Sequence, residues 1–341
     1  MPNLGPFKHG VSWSDVPTSI ISPVAAFPGV NVVFGSAPMH LSKNGKQTIN
    51  TPRVYNRYED AVAELGFSLD WDTYDICEHM DAVFVEFGVF PVIYVAVNDP
   101  EAGAVDLTPK TVTLVNGQVD TGEELIAWTV VVKSQDGSTE YEENVDYLLT
   151  LSANNTWIIT RIEGGGITSA TAQLQLSGKK PSTTPIDAAD IIGGIDVSTG
   201  KRTGLEVIED VFQKTGFVPG VIICPKFSKD ATVAAAMEAK CESINGCFAC
   251  TCLIDVDTAT VHNAQDVLAW KNANNIVFPR QQCLFGRPAL MATANLGSTP
   301  TFGSSASTNK VFNFASQQGP LMQWTDTYRG NGLPYQSPSN K

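Results

Sequence analysis

Residues 218–255 read VPGVIICPKFSKDATVAAAMEAKCESINGCFACTCLID. The apolar run Val218 to Cys224, closed by Pro225, predicts a strand, and the alanine-rich run Lys229 to Ser243 predicts a helix. Cys247 to Ile254, ending at Asp255, predicts a second strand. Two strands joined by a helix of this length imply a right-handed parallel crossover. The alternation extends both ways: Asp187 opens a helix signal, and Thr203 to Lys214 and Asn263 to Asn272 predict further helices.

Pro91 to Val97 is continuously apolar and β-branched, the pattern of a strand buried on both faces, and is expected to join the same sheet. Before it come a short strand, Asn31 to Phe34, a helix from Arg57 to Leu65 ended by Gly66, and a helix from Thr73 to Phe87 ended by Gly88, with Asp72 as N-cap. From Val105 to Leu176 the texture changes to short strands: Thr111 to Val115, Leu125 to Lys133, Tyr147 to Leu151, Trp157 to Ile162 and Ala170 to Leu176. Asn116-Gly117, Asp136-Gly137 and Asn154-Asn155 supply the turns, and the linker Lys179 to Pro185 closes the unit.

The expected fold class is therefore an α/β core domain with an inserted all-β domain and an extended N-terminal arm. The boundaries are 1–30 for the arm, 31–102 for the first part of the core, 103–182 for the inserted β domain and 183–341 for the second part of the core. The arm alternates apolar runs with Pro2, Pro6, Pro17, Pro23 and Pro28, and proline confines such a segment to strand ends and sheet edges. An arm of this kind can pair with another chain; Phe7, Val11, Ile20, Ile21 and Val24 are its candidate intersubunit residues. Beyond the alternation, Cys283 to Leu290 predicts a strand, Gly297 to Thr308 a Gly/Ser/Thr-rich loop, and Lys310 to Tyr328 a helix interrupted at Gly319-Pro320.

The 341 residues carry a formal net charge of -13, which repels phosphate backbones, so nucleic acid and anionic membrane are not expected partners. Hydrophobic residues at 43% against charged residues at 17% supply ample material for a core. No apolar run approaches the ~20 residues of a membrane span, and Met1 to Gly10 lacks a signal-peptide core, so residence in the cytoplasm until assembly or lysis is expected. Seven cysteines without an export signal predict reduced thiols, with intermolecular disulfides in a released particle as the alternative.

Candidate chemistry is sparse. Cys241, Cys247, Cys250 and Cys252 contain a C-x-x-C, but strand alternation sends Cys250 and Cys252 to one face and Cys247 to the other, which favours core cysteines over a metal site. Gly194 to Lys201 departs from a phosphate loop at Ile195 and Arg202, and a turn entering the helix at Thr203 accounts for it. Gly164 to Gly166 form a turn; the four histidines make no H-x-x-x-H pair. Asp255 and Asp257 follow a parallel strand's carboxyl end, where α/β enzymes place catalytic groups, although shaping the following loop is the simpler role. Trp128 and Trp157 would be the stacking residues of a carbohydrate- or receptor-binding module. No catalytic, cofactor-binding or metal-binding residue is expected; the competing readings are an α/β enzyme with a β-rich accessory domain and such a binding module.

The order of segments carries a further signal. Phe7-Lys8-His9-Gly10-Val11 followed by Val32-Val33-Phe34-Gly35-Ser36-Ala37-Pro38, then Glu59-Asp60-Ala61 and Leu65-Gly66, resembles the start of the contractile tail sheath proteins of phages and related injection machines. Gly193-Gly194-Ile195-Asp196, Gly200-Lys201-Arg202-Thr203-Gly204-Leu205, Val221 to Pro225 with Phe227-Ser228, and Pro334 to Asn340 are similar to that family's later motifs. The resemblance spans nearly the whole chain. It implies a structural subunit, not an enzyme, that stacks as hexameric rings around a tail tube and contracts to drive the tube through a bacterial envelope.

The partners it implies are neighbouring sheath subunits, the tail tube protein, and baseplate and tail terminator proteins. It places the protein in a virion tail or contractile particle, of a phage, a bacteriocin or a secretion device. Sheath proteins continue past the S-P-S-N stretch into a C-terminal region, whereas this sequence stops at Lys341, so contacts located there are not carried over.

Overall fold

The computed structural model describes residues 30–182, 184–287, 289–290, 310–311 and 313–329. The arm residues Phe7, Val11, Ile20, Ile21 and Val24, the loop 297–308 and the stretch 334–340 lie outside the described residues.

Three strands open the fold: β1 (Val30–Gly35), β2 (Arg53–Tyr55) and β3 (Val92–Ala96). Between them come α1 (Tyr58–Leu65) and α2 (Asp75–Met80), which continues as a π-helical stretch over Asp81–Phe87. Asp72 does not cap α2. The N-cap is Tyr74, without a side-chain bond, and it is Asp70 that organises the preceding turn by accepting from the Thr73 N–H at 3.3 Å. The sequence offers three acids in this region, Asp70, Asp72 and Asp75, and spacing alone does not select among them.

The chain then builds two antiparallel sheets from β4 (Val105–Thr113), β5 (Gln118–Asp120), β6 (Val131–Ser134), β7 (Glu140–Tyr141), β8 (Tyr147–Leu151), β9 (Trp157–Arg161) and β10 (Gln173–Lys180). Their orders are β4-β10-β6-β7 and β5-β9-β8. They enclose a core of their own, centred on Leu125, Val132, Trp157, Ile159, Leu174 and Leu176. β10 pairs with β4 until Lys180 meets Val105, so both strands are longer than the sequence predicts and the linker starts later. β4 is an edge strand exposed along most of its length, which leaves no apolar alternation to read.

His40 Nε2 lies 2.7 Å from Glu124 Oε1 across the junction with the first three strands. Glu101 there accepts from Lys46 Nζ at 2.8 Å and from Trp128 Nε1 at 2.6 Å.

The return segment begins with α3 (Ala188–Ile192), where Asp187 and Asp190 form a reciprocal capping box. Next, β11 (Gly194–Ile195) and β12 (Arg202–Thr203) pair as an antiparallel hairpin. Thr203 therefore ends a strand instead of starting a helix; a 3-10 turn over Gly204–Val207 leads into α4 (Ile208–Thr215). Then follow β13 (Pro219–Ile223), α5 (Ala231–Glu242) capped by Asp230, β14 (Thr251–Asp255), α6 (Val267–Ala273) and β15 (Gln281–Leu284). A short antiparallel pair, β16 (Ala289–Leu290) and β17 (Lys310–Val311), precedes α7 (Phe314–Arg329).

The six-stranded sheet has the order β15-β14-β13-β1-β3-β2; only β2, at one edge, is antiparallel. Consecutive apolar residues send alternate side chains to opposite faces. Val32, Phe34, Ile93, Ile222 and Ile254 pack under α3, α4 and α5 with Ile191, Ile208, Val211, Val233 and Met237. Val33, Tyr94, Ile223 and Leu253 face the opposite layer, where Leu65, Ile76, Met80 and Leu321 come from α1, α2 and α7. Residues buried on both faces fix the register, because a one-residue slip would exchange the two sets.

The helix predicted over Lys310 to Tyr328 begins at Phe314 and passes through Gly319-Pro320 without interruption. A Cβ on Gly319 would stand 2.4 Å from Ile223 Cδ1, so glycine is what lets α7 lie against β13. Pro320 costs that helix a backbone hydrogen bond, and buried Ala315 and Leu321 anchor it on the sheet.

Candidate functional site

The carboxyl ends of β1, β13 and β14 meet at the point where the strand order reverses, the place where open α/β sheets hold ligands. The N-terminus of α7 packs beside it and leaves a cavity of about 450 Å³ lined by Glu78, Lys226, Lys229, Asp255, Asp257 and Asn313. Asp255, at the end of β14, accepts from the Ala315 N–H at 2.8 Å and from Ser228 Oγ at 3.3 Å. Glu78 of α2 accepts from the backbone N–H of Asn313 and, at 2.8 Å, from Asn313 Nδ2. Two buried carboxylates thus meet the N-terminus of α7, where free N–H groups and the helix dipole favour negative charge.

A third acid, Asp75, accepts from the Ser36 N–H at 2.5 Å and from Ser36 Oγ at 3.2 Å, just past β1. Burial pushes the carboxyls of Asp75 and Glu78 up to about 7 and that of Asp255 up to about 6. Burial likewise pushes His79 down to about 3; its Nδ1 lies 3.1 Å from Tyr94 Oη. Neither Asp75, Glu78 nor the histidine was singled out for a role by spacing in the sequence, since only the fold brings residues from α2, β14 and α7 together.

Asp257 does something different from Asp255. It accepts from the Ala259 N–H and from Lys229 Nζ, each at 3.3 Å, and holds the turn after β14. Its carboxyl is drawn below the usual range by those donors despite some burial. The two acids differ in setting, one at a helix N-terminus and the other in a loop, and both line the cavity beside β14.

The tryptophans of the binding-module reading are occupied as well. Trp157 is 2% exposed and donates its indole N–H to the Leu125 carbonyl at 2.8 Å, which removes it as a stacking surface; Trp128 donates to Glu101. Of the cysteines, Cys241, Cys250 and Cys252 are buried and Cys247 is exposed in the turn before β14, whose strand starts at Thr251 and not at Cys247. Among the described residues no group of three or more His, Cys, Asp or Glu side chains is arranged to hold a metal ion, and no helix is long and apolar enough to cross a membrane.

What the described residues do offer is surface. β15 pairs with β14 on one side and with no described strand on the other. Beside it, α6 contains no buried residue, and Leu268, Val277 and Phe278 are exposed. An unpaired strand edge next to exposed apolar side chains is a template for another chain.

No family model matches this chain. It is 27% identical over 237 residues to the tail sheath protein of Burkholderia phage BcepMu, a match covering 68% of this chain and 46% of that protein. The chain thus spans less than half the length of the curated relative it matches. The resemblance to tail sheath proteins read from the order of motifs is borne out by this relative.

Proposed function

We propose that this chain, a relative of a phage tail sheath protein, is a structural subunit of a contractile tail sheath. It stacks as hexameric rings around a tail tube, inside a virion tail assembled in the host cytoplasm, and contracts to drive the tube through a bacterial envelope. The observation that carries this reading is the similarity to the BcepMu tail sheath protein over 237 residues. The partners are neighbouring sheath subunits, the tail tube protein, and baseplate and terminator proteins.

The protein works without catalysis. In support, the two buried carboxylates at the crevice, Asp255 and Glu78, are engaged by hydrogen bonds from Ala315 and Asn313 at the start of α7. The α/β sheet with an inserted β domain at 103–182 is the rigid body, and the arm 1–30 is its tether. Phe7, Val11, Ile20, Ile21 and Val24 of one subunit add a strand to the sheet edge of a neighbour, with β15 as the receiving edge. Backbone hydrogen bonds at such an edge persist while rigid bodies rotate. Contraction then releases energy stored in an extended lattice, because the contracted lattice is the lower of the two states.

Electron microscopy of the complete purified protein tests the reading. Helical tubes with six-fold symmetry are expected; a protein that stays monomeric at every concentration overturns it.

A further inference from the structure

Two buried thiols from different elements are in contact on the face of the sheet covered by α3, α4 and α5. Cys241 lies in the last turn of α5, and Cys250 stands immediately ahead of β14. The Cys250 thiol donates to Cys241 Sγ at 3.4 Å, and the backbone N–H of Cys250 donates to the Cys241 carbonyl at 3.0 Å. Both residues are buried in the same cluster, so the surrounding core holds the two side chains together. A disulfide bond is about 2.05 Å long, and the sulfurs need to close by only about 1.4 Å.

We propose that Cys241 and Cys250 are a disulfide-forming pair, closing the loop 241–250 when the protein meets an oxidising small-molecule disulfide. This inference stands apart from the sheath reading. In the net step, the two thiols lose two protons and two electrons as the S–S bond forms, and one small-molecule disulfide is reduced to two thiols. Cys252 also lies within reach of Cys241 but is held in β14, where it pairs with Ile222 and Gln281. Cys250 precedes the regular strand, and its sulfur is the one that stands 3.4 Å from Cys241 Sγ. Cys247 is exposed within the loop and is not the partner.

Burial and the neighbouring thiols raise the Cys241 pKa, which makes the native-state reaction slow. The test therefore uses two routes. The full chain is treated with oxidised glutathione in its native state, and separately refolded from denaturant in a glutathione redox buffer so that access does not limit the outcome. Remaining thiols are alkylated, and the chain is cleaved after Lys240, Glu242 and Phe248, which separates Cys241, Cys247 and the Cys250–Cys252 segment.

The expected product is a Cys241 to Cys250 crosslinked peptide, two hydrogens lighter than its reduced parts, absent from Cys250→Ser and retained in Cys252→Ser. A rise of about 2–4 °C in Tm on oxidation is expected for a loop this short in a chain of this size. Full alkylation of all seven cysteines after the refolding route overturns the proposal, as does a bridge from Cys241 to Cys247 or Cys252.

Discussion

Asp255 Oδ1 accepts the backbone N–H of Ala315 at 2.8 Å, a bond spanning 60 residues that joins the end of β14 to the first turn of α7. It buries a carboxylate against α7 and makes the start of that helix part of the wall of the sheet's polar crevice.

Asp255→Leu removes the acceptor while leaving the Ala315 N–H and Ser228 Oγ buried. Stranding a buried donor costs about 1–3 kcal/mol. Urea unfolding followed by circular dichroism is expected to show a free energy of unfolding lower by that amount, with a lower midpoint; an unchanged midpoint would mean that the bond does not hold α7 down.

Gly319→Ala places a Cβ 2.4 Å from Ile223 Cδ1. Overpacking of this kind costs about 1–3 kcal/mol, because α7 must lift or Ile223 must leave its rotamer. Ile223→Val deletes the clashing methyl group, so the double variant is expected to be more stable than the sum of the two single changes predicts. Additive losses would place the cost in the helix backbone instead.

Stability is expected to fall as pH rises from about 4.5 to about 7. Asp75, Glu78 and Asp255 have folded-state pKa values raised to about 7, 7 and 6, so the folded state binds more protons than the unfolded one. Stability from such groups is fully present below their unfolded pKa and is lost as pH rises through the folded value. His79, lowered to about 3, acts in the opposite sense as pH falls from 6.5, but it is one group against three and contributes nothing above that range. Denaturation midpoints measured at half-unit steps check this, and Asp75→Asn should flatten the slope; a midpoint that climbs from about pH 4.5 to 7 contradicts it.

Deleting residues 1–24 is expected to leave a protein that folds, with an unaltered circular dichroism spectrum, but does not polymerise. Micrographs showing sheaths of normal length from this variant would refute the role assigned to the arm.

Trp157→Phe keeps an aromatic ring in the core of the β sheets but loses the bond to the Leu125 carbonyl. A loss of about 1–3 kcal/mol is expected, from the stranded buried acceptor and the smaller ring. Thermal unfolding measures it. An unchanged Tm would show that the indole bond is replaced by water.

The strands and helices around residues 218–255 were legible because their side chains obey two simple periods, alternate faces for a strand and 3.6 residues for a helix. Strands buried on both faces, such as Val92–Ala96, announce themselves as unbroken apolar runs. β4 did not, because an exposed edge strand needs no apolar pattern. The helix at Gly319-Pro320 was also misread: its local residues disfavour a helix, and contact with Ile223, distant in sequence, overrides them.

Sequence alone therefore determined the order of elements, the two-faced burial of the central strands and the resemblance to tail sheath proteins, since each rests on local pattern or on motif order. Tertiary structure decided the rest: that Glu78 and Asp255 meet the start of α7, that Cys241 touches Cys250, and that β15 has no described strand on its outer side. The physical reason is that a carboxylate, a thiol or a strand edge acquires its character from neighbours tens or hundreds of residues away, and only the folded chain puts those neighbours within hydrogen-bonding distance.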